Sequence, residues 1–514
     1  MRLGQRTGVL WATTTVWLVL LQGCGGDGGG SSPDSFSGPV ARPTAAATAA
    51  ATATVGDSVT LDASSSNVLP GGTTRYHWAV LSPTGSSVAL VDGSTANPWF
   101  VATSTGAYTA TLQVAVASNN DAATSAAVST QVTVSAVPTP SATEVRARIQ
   151  RLAASAAPYA DPDASSPTVQ AGAKGADTQL PGSQLVAWDS PIFRYTGDVR
   201  QAGSVYPDHL FGANQAVSYS ATQFSGNALA IDFDIDAAAF EVFQKGLGYN
   251  SRLRVVVDGR LANSTPVEHP LDGGLYLTRV SFASKAKHHI RLLTNSPYFG
   301  GIRLLPSDKL TRSTVATPLR AMFVGDSITE GPAGQAALAS YAGRAAELLG
   351  WTDAWLSGVG ATGYLAAPSP KLTFRQRYAQ DVKPYAPQVL VIAGGINDAG
   401  ASDSAILAEA NTLFDLIQAD LPQTVVFVTG PWATTSRVRS GVNAALKAAV
   451  GTRSNFVWVP NVDDGWLTGT GNASSPKGDG NADSHISADN THPTPAGIAY
   501  LATSSMNFVK SAMP

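Results

Sequence analysis

Three hydrophobic patterns follow one another along the chain. Between residues 55 and 136 the apolar positions recur every second residue in short runs, at Val59 and Leu61, Tyr76, Trp78 and Val80, Tyr108, Ala110, Leu112 and Val114, then Val132 and Val134. Strand side chains point alternately to two faces, so such runs, separated by Gly, Asn and Ser clusters, predict a β-sandwich. Residues 137–183 are rich in Pro, Ala and Ser and predict a linker with one short helix near 143–154. Alternation returns past Gln184, where Leu229, Ile231, Phe233 and Ile235 alternate with Ala230, Asp232 and Asp234. Runs at 253–257, 289–293 and 301–304 complete a second predicted β-sandwich over 184–306.

From residue 315 to 514 the pattern changes again. Apolar runs at 321–324, 354–356, 388–393, 424–429 and 456–459 read as buried strands. Helix-like stretches lie between and after them, at 335–349, 403–419, 438–450 and 496–510, the last entered through Pro493 and Pro495. This alternation predicts a parallel sheet with helices on both faces, and ligands bind such sheets at the carboxyl ends of the strands. The predicted fold class is therefore multidomain, two β-sandwich domains followed by an α/β three-layer domain.

Composition sharpens the picture in three places. At 514 residues the chain holds two to four domains, and its 13% charged residues and 49 glycines suit secreted β-rich modules. A net charge of −3 leaves no basic footprint for nucleic acid. Arg2 and Arg6 precede a mostly apolar stretch at 9–21, too short for a good membrane span, so residues 1–23 read as a signal peptide. Cys24, the only cysteine, excludes an intramolecular disulfide, and Leu21-Gln22-Gly23-Cys24 resembles a bacterial lipobox. That resemblance implies a lipid anchor on Cys24 and a place in the bacterial cell envelope, at the outer membrane or cell surface; secretion is the alternative. Residues 24–54 form a tether: 25–38 is Gly/Ser-rich, and 43–54, nearly all Ala and Thr, reads as extended or disordered.

Candidate chemistry is concentrated at the ends of the later strands. In Phe323-Val324-Gly325-Asp326-Ser327-Ile328-Thr329-Glu330-Gly331 a buried-strand run meets a stretch rich in helix formers. A tight strand-to-helix turn there exposes the Ser327 hydroxyl and turns free N–H groups towards it. Ala393-Gly394-Gly395-Ile396-Asn397-Asp398 closes another strand with a side-chain donor, and Asp489-Asn490-Thr491-His492-Pro493 supplies a base. Together these motifs resemble the SGNH/GDSL hydrolase superfamily from about Val315 to the C-terminus, and the resemblance implies a flavodoxin-like fold and ester hydrolysis.

In that resemblance Ser327 is the nucleophile, His492 the general acid and base, and Asp489 the group that orients the imidazole. The oxyanion donors are the Ser327 N–H, the Asn397 amide and a backbone N–H from Ser357-Gly358-Val359-Gly360-Ala361-Thr362-Gly363. The superfamily usually has glycine at this third position. The alignment puts Ala361 there, with Gly360 one residue earlier; both stay open, and alanine serves as a backbone donor if its φ is negative. Asp326 and Asp398 read as turn formers, and Trp432 either walls the pocket or packs. Asp483 and His485 form a competing Asp-x-His pair that lacks the following Pro and helix.

Gly56-Asp57-Ser58 repeats the nucleophile motif by letter but precedes a strand, and reads as a turn. With Tyr76-His77-Trp78 and Gly106-Ala107-Tyr108 it looks like part of a PKD-like, immunoglobulin-type domain over 55–136. The module at 184–306 resembles the jelly-roll domain of two-domain carbohydrate esterases. His209, His269, His288 and His289 show no metal-ligand spacing, and no glycine-rich stretch is followed by the Lys-Ser/Thr of a phosphate loop, so no metal or cofactor is expected. The leading expectation is a serine esterase removing O-acetyl groups from an extracellular or cell-envelope polysaccharide. A lipase- or arylesterase-like enzyme, a glycan O-acetyltransferase and a non-catalytic glycan-binding surface lipoprotein are the alternatives.

Overall fold

A computed structural model describes residues 42–513 apart from 69–72, 118–121, 197–200, 203–209, 212–227, 247–250, 271, 296–297, 314–318, 332–338, 435–437 and 472–476. The candidate signal, Cys24 and the start of the tether lie outside the described residues, as does His209.

The first unit has two sheets. One pairs Thr48–Ala49, Ser58–Asp62 and Trp99–Val101; the other joins Thr52–Thr54, Val128–Ser135, Gly106–Ala117 and Thr73–Leu81. Val59, Leu61 and Phe100 of the first meet Val80, Tyr108, Ala110, Val132 and Val134 of the second in one core. Thr48–Ala49 and Thr52–Thr54 lie in the stretch expected as tether. Ladder partners at Leu61, Asp62 and Thr133 to Ser135 satisfy their backbone groups, which an Ala/Thr composition does not reveal.

The second unit departs from two separate sheets. Among the described residues its 12 strands form one hydrogen-bonded sheet, seven along a continuous path and five paired to its sides. Ala228–Lys245 and Leu275–Asn295 run through it, with a register shift between Ala237 and Ala239. The rings of Phe233 and Phe240 nevertheless meet edge to face at 5.9 Å. Seven residues of straight strand would hold them roughly 20 Å apart, so the sheet folds over its own core at the bulge. Thr168–Ala171 and Lys309–Thr311 also join, which carries this unit beyond 184–306 in both directions.

The α/β unit has five parallel strands, β1 (Arg320–Gly325), β2 (Asp353–Gly358), β3 (Val389–Ala393), β4 (Val425–Thr429) and β5 (Phe456–Val459), in the order β2-β1-β3-β4-β5. Alternate residues of each strand feed two cores. Ala321, Phe323, Val389, Val391 and Phe427 face one layer; Met322, Val324, Leu390, Ile392 and Val428 face the other. The first layer contains α1 (Ala142–Ser155), α2 (Tyr341–Leu348) and α6 (Pro495–Ala512). The second contains α3 (Phe374–Asp381), α4 (Asp403–Asp420) and α5 (Asn443–Val450). The helix expected at 335–349 spans only Tyr341–Leu348, and 332–338 lies outside the described residues. Helix α3 was not expected, because Phe-Arg-Gln-Arg-Tyr-Ala-Gln-Asp has almost no apolar period; a Thr373/Gln376 capping box starts it.

Helix α1, within the stretch read as a linker, belongs to the α/β core. A Ser141/Glu144 capping box begins it, and Val145, Ile149 and Ala153 recur at helical spacing on its buried face. Arg146 donates to the Ser454 carbonyl at 3.1 Å and Gln423 accepts from the Ala142 N–H at 2.9 Å. A chain starting after α1 would expose this face of the sheet. Ile149→Ala should therefore cost about 2–5 kcal/mol, while Arg151→Ala on the exposed face should change stability by less than about 0.5 kcal/mol. Urea melts of the full chain followed by tryptophan fluorescence measure both; equal melts for Ile149→Ala and the parent would contradict this docking.

Candidate active site

Strand β1 lies between β2 and β3, and its last residue leaves no room for a side chain. A Cβ on Gly325 would stand 2.0 Å from Thr329 Oγ1 and 2.6 Å from the Ala393 carbonyl. The chain then turns at Asp326, whose Oδ1 accepts the Ile328 N–H at 2.9 Å and caps the helical turn Ser327–Glu330. Asp326 is buried, and burial pushes its carboxyl up to about 6, against the Ile328 N–H and the charge of Arg377. Arg377, buried in α3, donates to the Gly325 carbonyl at 2.7 Å, and Asp381 on the same helix accepts from Ser357 Oγ at 2.8 Å. These contacts tie the ends of β1 and β2 to one helix.

Ser327 Oγ lies 2.8 Å from His492 Nε2, and His492 Nδ1 lies 2.6 Å from Asp489 Oδ2. With Nδ1–H donated to the carboxylate, Nε2 is left to accept the Ser327 proton. The loop before α6 builds this arrangement locally. Asp489 Oδ1 accepts the N–H groups of Thr491 and His492, each at 2.9 Å, and the Ser487 hydroxyl at 2.6 Å. Asn490 takes φ 55°, and Thr494 caps α6 with Pro495 in its first turn. Burial raises the Asp489 carboxyl, but the hydrogen bonds from Ser487, His492 and Thr491 outweigh it and hold the group well below the usual carboxylate range. The His492 and Asp489 side chains are 47% and 50% exposed, whereas Ser327 is half-buried.

Asn397 follows β3 in the short turn Ile396–Asp398. One amide hydrogen goes to the Thr362 carbonyl at 2.9 Å, which leaves the second hydrogen for another acceptor. Asp398 accepts the N–H groups of Tyr364, Leu365 and Ala366 at 2.8–2.9 Å and so holds the end of the same loop. Within this loop Gly360 donates its N–H to Glu330 Oε2 at 2.6 Å. Ala361 has φ 62°, in the left-handed region, contrary to the negative φ expected of it. Sequence reasoning missed Glu330, Arg377 and Asp381; the only signal for Glu330 was its place one turn after Ser327.

The remaining candidates are engaged elsewhere. His485 stacks on Tyr500 with centroids 4.5 Å apart, and Asp483 accepts the Gly478 N–H at 2.5 Å. Trp432 is buried near Tyr500 and lines a small cavity with Asp326, Tyr341 and Asn461, in keeping with the packing reading. His269 is stacked on Tyr276 with its pKa pushed down to about 4 by burial, and His288 and His289 pair with Asp258 and Asp234. Among the described residues no group of three His, Cys, Asp or Glu could hold a metal ion, and no helix is long and apolar enough to cross a membrane. A separate cleft lined by Tyr159, Arg194, Asp232, His289, Arg291 and Arg320 opens at the start of β1 and β2, the end of the sheet away from Ser327.

Residues 323–499 match the family model described as GDSL-like Lipase/Acylhydrolase family. The C-terminal unit is thus a GDSL-type lipase/acylhydrolase domain. No curated protein matches the chain. Among solved structures, a salicylyl-acyltransferase from a tetracycline biosynthetic pathway is similar at 15% identity and TM-score 0.46, over 64% of this chain and 96% of that one. A family two carbohydrate esterase from Clostridium thermocellum, in complex with cellohexaose, is similar at 18% identity and TM-score 0.44, over 62% and 98%. One from Cellvibrio japonicus is similar at 15% identity and TM-score 0.41, over 64% and 98%.

Two measurements test the local physics of this site. Left-handed backbone disfavours a Cβ, so Ala361→Gly should raise stability by about 1 kcal/mol, read from urea melts. Asp326 has a folded pKa above its unfolded one, so its ionisation opposes folding increasingly as pH rises towards about 6. Asn also caps helices well, so Asp326→Asn should gain stability over the parent as pH goes from about 4 to about 7. A gap independent of pH would contradict the buried carboxyl.

Proposed function

We propose that the chain is a serine ester hydrolase that removes O-acetyl groups from an extracellular or cell-envelope polysaccharide, held at the bacterial envelope by a lipid on Cys24. The contact of Ser327 Oγ with His492 Nε2 at 2.8 Å, continued to Asp489 at 2.6 Å, carries the esterase reading. In this reading His492 takes the Ser327 proton as Oγ attacks the ester carbonyl. The negative charge that develops on the carbonyl oxygen is met by the Ser327 N–H, the Asn397 amide and an N–H of the 357–363 loop. His492 then gives its proton to the leaving alcohol, and water, activated by the same imidazole, releases acetate from Ser327. Asp489 remains an anion throughout and stabilises the imidazolium.

The half-exposed His492 and Asp489 favour an ester carried on a large molecule, because a polymer strand reaches an open surface without entering a pocket. The two β-rich units ahead of the domain are consistent with polymer positioning.

Ser327→Ala should abolish release of acetate from acetylated polysaccharides while leaving the melt unchanged, and a fluorophosphonate should add mass at Ser327 alone. Full activity in Ser327→Ala would overturn the assignment. Asn397→Ala should lower kcat on p-nitrophenyl acetate on the order of a hundredfold with little change in KM, because the donor acts on the transition state. Cys24→Ser should move the protein from the membrane fraction to the soluble one; unchanged partition would exclude the anchor.

A further inference from the structure

Charged side chains hold the Gly360 residue from both sides. Its N–H donates to Glu330 Oε2 at 2.6 Å, and its carbonyl accepts from Lys371 Nζ at 2.7 Å. Glu330 ends the helical turn that Ser327 begins, and Lys371 precedes α3. Gly360 lies against the nucleophile: a Cβ built on it would be 3.6 Å from Ser327 Cβ and 2.8 Å from Glu330 Oε2. A backbone N–H given to a carboxylate forms a charge-assisted hydrogen bond, roughly twice as strong as a neutral one. The Gly360 N–H is therefore committed, and the carboxylate beside it would repel a developing oxyanion. Burial holds the Glu330 carboxyl above its ordinary value, against the Gly360 N–H and the charges of Lys371 and Arg377.

Peptide planarity carries the constraint one residue further. The Gly360 carbonyl and the Ala361 N–H belong to one trans peptide and point in opposite directions. Lys371, by fixing the carbonyl, thus fixes the direction of the Ala361 N–H. The next residue, Thr362, accepts the Asn397 amide, so the same short loop carries the Ala361 donor and holds Asn397.

We propose that Glu330 and Lys371 are positioning residues that clamp the Gly360 peptides and make the Ala361 N–H, rather than the Gly360 N–H, the third oxyanion donor. The inference rests on ester hydrolysis at Ser327. The clamp works through geometry, and neither side chain touches the reacting atoms. It also accounts for an alanine kept at φ 62°, since the two anchors over-determine the loop.

The test compares Glu330→Ala, Glu330→Gln, Lys371→Met and Ser327→Ala in the full chain, with p-nitrophenyl acetate as substrate and melts to establish folding. Glu330→Ala and Lys371→Met should lower kcat roughly tenfold to a hundredfold with KM within about twofold, as expected for a displaced transition-state donor. Glu330→Gln, whose amide oxygen accepts the same N–H, should recover most of the loss. The rate of Ser327 modification by a fluorophosphonate should fall in parallel, because its phosphoryl oxygen uses the same donors. A Glu330→Ala enzyme as fast as the parent or faster would overturn the clamp and make Glu330 an occupant that leaves the Gly360 N–H free. A loss in Glu330→Gln as deep as in Glu330→Ala would also overturn it. Full activity in Ser327→Ala would overturn the esterase reading and the clamp together; an inactive Ser327→Ala beside an unchanged Glu330→Ala overturns the clamp alone.

Discussion

The candidate site depends on backbone meeting backbone at the end of β1. Gly325 sits between β2 and β3 where a Cβ would collide with Thr329 and with the Ala393 carbonyl. Gly358, at the end of β2, would place a Cβ 2.2 Å from the Glu330 nitrogen. Because side chains are absent at these two points, the turn carrying Ser327 can rest directly on the strand ends. Strand order puts that turn at the β1/β3 switch point, where successive connections leave the sheet on opposite sides and open a crevice.

Around this turn the polar groups divide by exposure. Asp326, Arg377, Asp381 and Ser357 are buried and act on backbone or on each other, which makes the scaffold rigid but requires a carboxyl in a dry environment. Its pKa near 6 records that desolvation. Asp489 and His492 stand half-exposed, on a loop held by its own side-chain-to-backbone bonds and anchored by the cap of α6. Rigidity and access are thereby assigned to different residues.

The domain limits follow hydrophobic faces rather than composition. Helix α1 lies in a Pro/Ala/Ser-rich stretch, yet its buried face completes one layer of the α/β core. Arg291 of the second unit binds Asp232 at 2.9 Å and donates to the Thr352 carbonyl of the α/β unit at 2.5 Å. Contacts thus join the second unit and helix α1 to the last unit, and separation at residue 315 would break them.

Much of this could be read from residue order alone. Strands β1, β3, β4 and β5 are short apolar runs buried on both faces, and that pattern is local, so their limits agree with expectation within a residue or so. The Ser327 turn and the Asp489–His492 loop are equally local, because glycine, capping residues and proline dictate their backbone. Helix α3 was not legible, since its buried members are Phe374, Arg377, Tyr378 and Asp381, and a buried arginine gains its place from tertiary partners such as the Gly325 carbonyl. The fold-over at Ala237, the docking of α1 and the commitment of the Gly360 N–H to Glu330 were likewise invisible. The last two join groups far apart along the chain, 30 residues apart for Glu330 and Gly360. Local sequence determines what a segment prefers; only the packed structure decides which hydrogen-bond donors are already taken.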